Sequence, residues 1–323
     1  MFDELPVIDL RDLGSGANSA EVGRELLRVY GSVGFGYVVN HGVPVNVVDD
    51  VFSAARSFHA LPPTRKLVVE LDALHRGFIP IDSSTDVTST LAKVTKPNQS
   101  ESFMMMREAC ADDPDVVAGA YLAGANQWPD GLPGFRESLM SYYHAMCDLA
   151  HRLVEALALA LGDTDAIIVN AFSPPTTWLR LLHYPAQSPL IAADLYGSAP
   201  HEDFGCLTIL AQDDVGGLEV GTPDGRWVAA PPVAGSFVVN VGQMLNRWSN
   251  GRLLATPHRV VNRSGRERYS VPFFYDPNVA TVIEPLPVCI TADRPPSFEP
   301  LVFGDFLRHQ LESSYTQHLP NRP

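Results

Sequence analysis

The amino-acid sequence predicts an α+β protein with a mainly β core, in which a double-stranded β-helix, or jelly roll, is buttressed by α-helices. Three observations lead to this prediction. From Trp178 on, about eight short β-rich runs alternate with turn sequences such as Gly216-Gly217 and Asn250-Gly251. Long stretches with helical spacing of apolar residues lie before that point. The chain has 323 residues, of which 46% are hydrophobic, so it can bury a large core.

The first half of the chain combines helices with a few short strands. Val22, Leu26 and Val29 predict a helix over residues 20–29, and a second helix is predicted over residues 45–60. The longest predicted helix covers residues 136–161 and ends at Gly162, a residue type that is common directly after helices. Short strands are predicted over residues 6–10 and 101–106. This half therefore supplies helices that can pack against a sheet.

The second half is predicted to consist mainly of antiparallel strands. They cover residues 178–184, 207–212, 218–220, 227–229, 236–241, 258–261, 269–275 and 280–283. We expect a single domain, 1–323, made of a mostly helical N-terminal part with a few strands (1–175), a jelly-roll core (176–285) and a C-terminal helical tail (286–323). The wide opening of such a barrel is a common place for a small-molecule site.

The charge balance argues against several classes of partner. Asp and Glu outnumber Lys and Arg by 37 to 23, which gives a formal net charge of −14, and there is no basic run. Binding to nucleic acid or to an anionic membrane surface is therefore not expected. No stretch approaches the roughly 20 apolar residues that span a bilayer, and the first residues lack the features of a secretory leader. We expect a cytoplasmic protein with four reduced cysteines and no evident obligatory protein partner.

A candidate metal site lies in the β-rich half. The sequence His201-Glu202-Asp203 is followed, 55 residues after Asp203, by His258 in a Thr-Pro-His-Arg-Val sequence. Residues i and i+2 of a strand point to the same face, so His201 and Asp203 can address one ion while Glu202 points away. Two neutral imidazoles and one carboxylate, with the other positions open, form the arrangement used by non-haem Fe(II) oxygenases.

The motifs of the whole chain show a family resemblance. The chain resembles the isopenicillin N synthase-like branch of the Fe(II)- and 2-oxoglutarate-dependent dioxygenases over nearly its whole length. The matching motifs, in the order of that family, are Pro6-Val7-Ile8-Asp9-Leu10, Gly34-Phe35, Asn40-His41-Gly42, Arg180-Leu181, Tyr184-Pro185, His201-x-Asp203-Phe204-Gly205, Leu207-Thr208, Gly216-Gly217-Leu218, Ser249-Asn250-Gly251, His258-Arg259-Val260 and Arg268-x-Ser270. The resemblance implies a jelly-roll core that is buttressed by helices.

The resemblance also implies the roles of the metal-site residues. His201, Asp203 and His258 would hold Fe(II), and dioxygen would bind at a remaining position of the metal. The reaction implied is hydroxylation or desaturation of a small organic molecule, with release of succinate and carbon dioxide from 2-oxoglutarate. Related halogenases replace the carboxylate ligand to make room for chloride, so the presence of Asp203 argues against halogenation.

Three further residues would bind the co-substrate by the same resemblance. Arg268 and Ser270 would hold the distal carboxylate of 2-oxoglutarate, and Tyr184 would be a further donor. A planar guanidinium binds a carboxylate through two parallel hydrogen bonds, which a lysine cannot reproduce. Many relatives have Asn on the strand before the tyrosine, where this chain has Leu182 and His183. The co-substrate contacts of that strand are therefore expected to differ.

Two alternative functions remain open from the sequence. The first is an Fe(II) oxidase of the same fold that does not use 2-oxoglutarate, as isopenicillin N synthase does not; such oxidases can retain Arg-x-Ser to bind substrate. The second is a non-catalytic, metal-dependent ligand-binding protein on the same barrel. Both alternatives keep the metal ligands, so the His-x-Asp and His258 pattern alone does not separate them.

The substrate is expected to be a fairly apolar small molecule, because aromatic and methionine side chains are frequent in the segments that would line the pocket. Strand alternation allows only one of Phe273 and Phe274 to face the barrel interior. Arg107 or Arg247 either pairs with an acidic substrate or has a structural partner. The candidate substrate residues are Phe78, Phe103, Met105, Arg107, Tyr196, Phe204, Phe273 and Phe274.

Overall fold

The computed structural model describes residues 2–14, 19–85, 91, 94, 96–187 and 194–315. Within these residues the strands are β1 Val7–Asp9, β2 Phe35–Val39, β3 Gly77–Ile79, β4 Glu101–Met106, β5 Thr176–Tyr184, β6 Ser198–His201, β7 Leu207–Gln212, β8 Leu218–Gly221, β9 Trp227–Ala229, β10 Ser236–Val241, β11 His258–Val260, β12 Arg268–Asp276, β13 Val282–Ile283 and β14 Leu301–Val302. The helices are α1 Ser19–Ser32, α2 Val45–His59, α3 Pro63–Lys66, α4 Pro114–Val117, α5 Phe135–Leu161, α6 Ile167–Asn170, α7 Gln243–Trp248 and α8 Phe303–Ser314.

The strands form two main sheets. The larger sheet has eight strands in the order β1-β2-β10-β7-β12-β5-β4-β3, and the smaller has four in the order β6-β11-β8-β9. Buried side chains of the two sheets share one apolar cluster, which includes Tyr37 and Leu182 of the larger sheet and Val220 and Val260 of the smaller. The inner faces therefore pack on each other, which confirms the predicted jelly-roll core.

The other face of the larger sheet carries the helices. Helix α5 packs against α1 and α2 and contacts β7 and β12. Its C-terminal end is closed by Gly162, whose φ of 91° lies in the left-handed region that favours glycine. Phe103 of β4 is fully buried in this outer layer, with its ring centroid 5.0 Å from that of Phe58 in α2 and 5.3 Å from that of Phe135 in α5. Among the described residues, no helix is both long and apolar enough to cross a membrane.

Two parts of the predicted strand order need correction. The last predicted strand, 280–283, is shorter than expected and lies outside the jelly roll, because Val282–Ile283 pairs with Leu301–Val302 of the C-terminal segment. Strand β6, Ser198–His201, is absent from the prediction, because its four residues have no apolar alternation to reveal it. In the predicted helical tail, α8 is the main helix, and residues 316–323 lie outside the described residues.

Candidate active site

Two histidines and one aspartate converge at the smaller sheet. His201 ends β6 and His258 begins β11, and the two residues are direct partners in the antiparallel pair. Their ring centroids are 4.3 Å apart, and the Oδ1 atom of Asp203 lies 3.7 Å from the Nε2 atom of each ring. One potential ligand atom from each residue lies within 4.8 Å of the other two. The three side chains are therefore close enough to hold a single ion.

The convergence has a different cause from the one that the sequence suggested. His201 is the last residue of its strand, and Asp203 lies beyond the strand end. The expectation that both residues alternate on one strand face is therefore wrong. Cross-strand pairing brings His258 to His201, and the chain after β6 then turns Asp203 towards both rings.

Hydrogen bonds to backbone carbonyl groups orient the two imidazoles. The Nδ1 atom of His201 lies 2.7 Å from the carbonyl oxygen of Ala199, and the Nδ1 atom of His258 lies 3.4 Å from that of Thr256. A carbonyl can only accept, so each Nδ1 donates its proton and each Nε2 keeps its lone pair. Both lone pairs are thus available to a metal, with the backbone acting as the outer support that metal-binding histidines use.

Asp203 is held as a carboxylate by its neighbours. Its Oδ2 atom accepts hydrogen bonds from the Thr208 hydroxyl (2.5 Å) and from the Asn240 amide (2.7 Å), which leaves Oδ1 directed at the histidines. Burial raises the pKa of Asp203, but the positive charge of His258 and His201 in their protonated form, together with the two hydrogen bonds, outweighs this effect and brings the pKa below its ordinary value. Two neutral nitrogens and one anionic oxygen fit the donor set that Fe(II) requires.

A buried cation lies inside the same barrel. Arg268 of β12 is fully buried, and it donates hydrogen bonds to the Ser270 hydroxyl (3.1 Å) and to the Oε1 atom of Gln212 (3.3 Å). The ring of Tyr184, its partner on β5, lies 4.6 Å from the guanidinium carbon. The Nε–H group of Arg268 has no partner among the described residues, and none of their carboxylates lies within 4.0 Å of the guanidinium.

The burial of this guanidinium with only neutral partners indicates a binding site for an anion. Taking a charged group out of water costs several kcal/mol unless an opposite charge and hydrogen bonds compensate it. Arg268, Ser270 and Tyr184 are brought together as the sequence predicted, and Gln212 joins them. Nothing in the sequence indicated Gln212, because its position beside Arg268 depends on the pairing of β7 with β12, in which Gln212 is opposite Ser270. These four residues together form a site that fits the carboxylate of a ligand.

Leu182 and His183, which stand where many relatives have asparagine, lie on opposite faces of the sheet. Leu182 is opposite Ser270 and packs in the inner cluster, so it adds no polar contact to the co-substrate site. His183 faces the other side of the sheet, where its ring stacks on Tyr269 at 4.7 Å and its Nδ1 atom lies 2.9 Å from Glu101. His183 therefore packs on the opposite face of the sheet and does not line the co-substrate site.

His183 belongs to a second cluster of potential metal ligands, with His59 and Glu101. Here the Nζ atom of Lys66 lies 2.6 Å from the Glu101 carboxylate, and Lys66 is itself buried. The ammonium group already balances the carboxylate charge, so a divalent cation at this place would leave excess positive charge in the protein interior. We interpret this cluster as a buried ion-pair network and not as a metal site.

A pocket opens beside the metal-site residues, with His201 and Asp203 in its wall. Two of the predicted substrate residues, Phe204 and Phe274, also line it. Phe273 points the other way and packs on Tyr143 of α5, at 5.8 Å between ring centroids. The expected alternation of the phenylalanine pair therefore holds, with Phe274 as the residue that faces the interior.

Several other predicted substrate residues are not in this pocket. Phe78, Phe103, Met105 and Phe273 belong to the core between the larger sheet and the helices. The physical reason is the side-chain period of two: on β4 it is Met104, and not Phe103 or Met105, that reaches the pocket. For these four residues the prediction of substrate contact is corrected.

The two remaining candidates also have structural partners. Arg107 forms ion pairs with Asp113 at 2.8 Å and with Asp115 at 2.6 Å, which corrects the idea that it waits for an acidic substrate. Tyr196 lies with its ring centroid 5.8 Å from the guanidinium of Arg259 and is not among the described lining residues of the pocket. Both side chains therefore have partners within the protein.

Sequence reasoning missed a buried acid in the pocket wall. Asp276, the last residue of β12, accepts hydrogen bonds from the indole N–H of Trp178 (3.0 Å) and from the backbone N–H of Cys206 (2.6 Å). Burial raises the pKa of Asp276 to about 7. Gly205 leaves room for it, because a Cβ atom at that position would overlap the Asp276 carboxyl group. Alternation from Ser270 to Phe274 and Asp276 was the signal that could have found it.

Comparisons with known proteins agree with this geometry. A model described as "2OG-Fe(II) oxygenase superfamily" matches residues 167–277, and one described as "non-haem dioxygenase in morphine synthesis N-terminal" matches residues 5–131. The 2-oxoglutarate-Fe(II) type oxidoreductase hxnY of Emericella nidulans is 36% identical, over 87% of this chain and 81% of that protein. Homoarginine-6-hydroxylase 2-ODD-C23 of Glycine max is 32% identical, over 97% and 98%.

A solved structure extends the agreement to three dimensions. The crystal structure of a full-length Neurospora crassa protein in complex with alpha-KG, which is 2-oxoglutarate, superposes with a TM-score of 0.81 at 29% identity and covers 95% of each chain. Two further structures of that protein contain 5-formyluracil or thymine in addition. The chain therefore belongs to the Fe(II)- and 2-oxoglutarate-dependent oxygenases, and its cofactor, co-substrate and oxidant are Fe(II), 2-oxoglutarate and dioxygen.

Proposed function

We propose that His201, Asp203 and His258 hold the iron, and that Arg268 and Ser270 bind the distal carboxylate of 2-oxoglutarate. The observation that carries this proposal is the buried Arg268 guanidinium, which has only neutral hydrogen-bond partners among the described residues and lies in the barrel that contains the three ligands. A dicarboxylate can neutralise Arg268 at one end while its keto acid end reaches the metal. A monoanionic ligand would satisfy only one of these two positions.

The protein residues around the co-substrate have distinct tasks in this proposal. Arg268 fixes the carboxylate through two parallel hydrogen bonds, and the Ser270 hydroxyl, 3.1 Å from the guanidinium, adds a third donor. The Tyr184 ring covers the guanidinium at 4.6 Å and limits access of water. Thr208 and Asn240 occupy one oxygen of Asp203, so that only the other oxygen is offered to the iron.

The substrate would be a small organic molecule in the pocket next to His201 and Asp203. Bound iron supplies the activation of dioxygen, coupled to the oxidative decarboxylation of 2-oxoglutarate. In hydroxylation, one oxygen atom of dioxygen ends in succinate and the other in the new hydroxyl group, while carbon dioxide is released. Part of the pocket wall is apolar and can hold a carbon skeleton; it is formed by Phe204, Phe274, Trp178 and Met104. The 5-formyluracil and thymine bound in two of the related structures support a small organic molecule as the substrate.

Titration of the anaerobic Fe(II) protein with 2-oxoglutarate tests the proposal. Chelation of the iron by a keto acid produces a weak visible charge-transfer band, which gives the apparent affinity directly. We expect Arg268→Lys to weaken that affinity by about tenfold or more, because an ammonium cannot reproduce the bidentate contact. Iron binding should be unchanged in this variant.

The matched control is Arg247→Lys. Arg247 donates to the carbonyl oxygen of Glu299 and lies over the ring of Phe298, outside the pocket, so its replacement should leave the titration as it is in the wild type. An unchanged affinity in Arg268→Lys would show that the carboxylate is bound elsewhere. Equal weakening in both variants would mean that the effect is general and not due to the clamp.

A further inference from the structure

A second arginine lies inside the barrel, between the co-substrate residues and the aromatic end of the pocket. Arg180 is in the middle of β5, on the same face as Trp178 and Tyr184, and its side chain lines the pocket together with His201 and Asp203. Its Nε–H donates to the Ser102 hydroxyl (2.8 Å), and one terminal nitrogen donates to the Tyr315 hydroxyl (3.4 Å). These partners are neutral, so the charge of Arg180 is not balanced by them.

The other arginines that were candidates for binding an acid are occupied. Arg107 has ion pairs with two aspartates, and Arg247 has a backbone carbonyl and an aromatic ring. No carboxylate of the part of the chain described by the structure lies within 4.0 Å of the Arg180 guanidinium. The pocket therefore contains a partly buried cation whose second terminal nitrogen makes no hydrogen bond to those residues.

The partial burial of Arg180 increases its demand for a counter-ion. The effective dielectric constant around a partly buried group is lower than in water, so a charge without a counter-ion is costly there and an opposite charge binds more strongly. The chain as a whole has a net charge of −14 and does not attract anions. Among the described residues that line the pocket, Arg180 is the only lysine or arginine, so it is the side chain that can attract an acid there.

We propose that Arg180 is a substrate-binding residue and that the substrate is a small organic acid, whose carboxylate it binds while the carbon skeleton packs against Phe274 and Trp178. Phe274 and Trp178 are direct partners across β12 and β5, so their side chains stand together on the inner face. Both line the pocket and offer flat apolar surfaces, which suits a planar, aromatic acid. This inference rests on the proposed function of the pocket and adds the chemical class of its ligand.

Arg180 and the co-substrate clamp lie at different positions along β5, and Arg268, Ser270 and Tyr184 are not among the described residues that line the pocket. Arg180 lies four positions before Tyr184, the partner of Arg268, which corresponds to roughly 13 Å between their backbones along an extended strand. Arg268 and Arg180 therefore address different anionic groups. The distal end of 2-oxoglutarate occupies the first, and the proposed substrate carboxylate occupies the second.

Binding of benzoate, phenylacetate and cinnamate tests the inference, with the amide of each acid as its neutral match. The anaerobic enzyme is saturated with Fe(II) and 2-oxoglutarate, and the relaxation of the ligand protons in NMR reports the dissociation constant. We expect at least one acid to bind about tenfold or more tightly than its amide, as a charge-assisted bidentate contact predicts. In Arg180→Gln this difference should disappear, and in Arg180→Lys it should be partly retained. Arg247→Gln, with the same loss of charge outside the pocket, should behave as the wild type.

The visible 2-oxoglutarate band is recorded for every variant and separates the possible failures. A normal band in Arg180→Gln shows that the variant is folded and that its co-substrate site is intact. The inference is overturned if no acid binds, if acids and amides bind equally, or if Arg180→Gln binds the acids as tightly as the wild type. It is also overturned if Arg180→Gln loses the band, because Arg180 would then belong to the co-substrate site. Absence of the band in the wild type would contradict the proposed function instead.

Discussion

The buried acid of the pocket wall gives the sharpest test of the local electrostatics. Asp276 lies at the end of β12 and connects two parts of the site, since it accepts hydrogen bonds from Trp178 and from the backbone of Cys206, three residues after Asp203. Burial raises its pKa from 3.8 to about 7. The folded protein therefore holds the Asp276 proton more tightly than the unfolded chain does.

The sign of the pH dependence follows from this difference. Between about pH 4 and about pH 7 the folded state binds more protons at Asp276 than the unfolded state, so this residue lowers the free energy of unfolding as the pH rises. The full shift corresponds to on the order of 4 kcal/mol, of which about 2 to 3 kcal/mol falls between pH 5 and pH 8. Replacement by Asn removes this contribution, because an amide does not titrate.

The assay is urea denaturation of the metal-free wild type and of Asp276→Asn at pH 5 and at pH 8. The amide can accept only one of the two N–H groups, so the variant loses stability at both pH values. That loss is independent of pH and cancels when the two pH values are compared. We expect the wild type to lose about 2 to 3 kcal/mol relative to the variant on going from pH 5 to pH 8. Parallel pH profiles of the two proteins would refute the reasoning.

The remaining predictions concern the support of the metal ligand and the two faces of the larger sheet. Thr208→Val removes one hydrogen bond from Asp203 at nearly constant shape, so Fe(II) affinity, measured by competition with a chelator, should fall by about tenfold; unchanged affinity would show that this bond does not orient the carboxylate. Phe103→Ala should lower the free energy of unfolding in urea by about 3 to 5 kcal/mol, because it empties a core site. Phe274→Ala, on the pocket side, should cost clearly less stability and abolish substrate-stimulated release of succinate, and the opposite ranking of the two variants would contradict the assignment of the faces.

The features that are predictable from the sequence are those fixed by short-range rules. The side chains of the strand that contains Arg268, Ser270 and Phe274 alternate with a period of two. This alternation predicts that only one of Phe273 and Phe274 faces the interior, but it does not say which one. The start of the long helix is predictable within one residue because the apolar spacing is regular, and Gly162 ends the helix. These signals lie within one element and need no knowledge of the partner strand.

The features that are not predictable depend on which element packs on which. The sequence does not say that α2 and α5 cover the face of β4 that carries Phe103 and Met105, so the aromatic content of that face wrongly favoured it as the pocket side. Helices cover that face and leave Met104 to the interior. An aromatic side chain is as suitable for a core as for a ligand pocket, and only tertiary contacts separate the two cases.

The two interior arginines show the same limit at the level of single charges. Arg268 stands in an Arg-x-Ser sequence and can be assigned from the chain alone, whereas Arg180 has no such signal beyond its place in a strand motif. In the fold, each guanidinium lies inside the barrel with hydroxyl or amide partners and without a carboxylate within 4.0 Å among the described residues, although Arg268 is fully buried and Arg180 is partly buried. If the Arg268 charge is balanced by 2-oxoglutarate, the same electrostatic argument favours an anion at Arg180, and the acidic substrate proposed for the pocket would supply it.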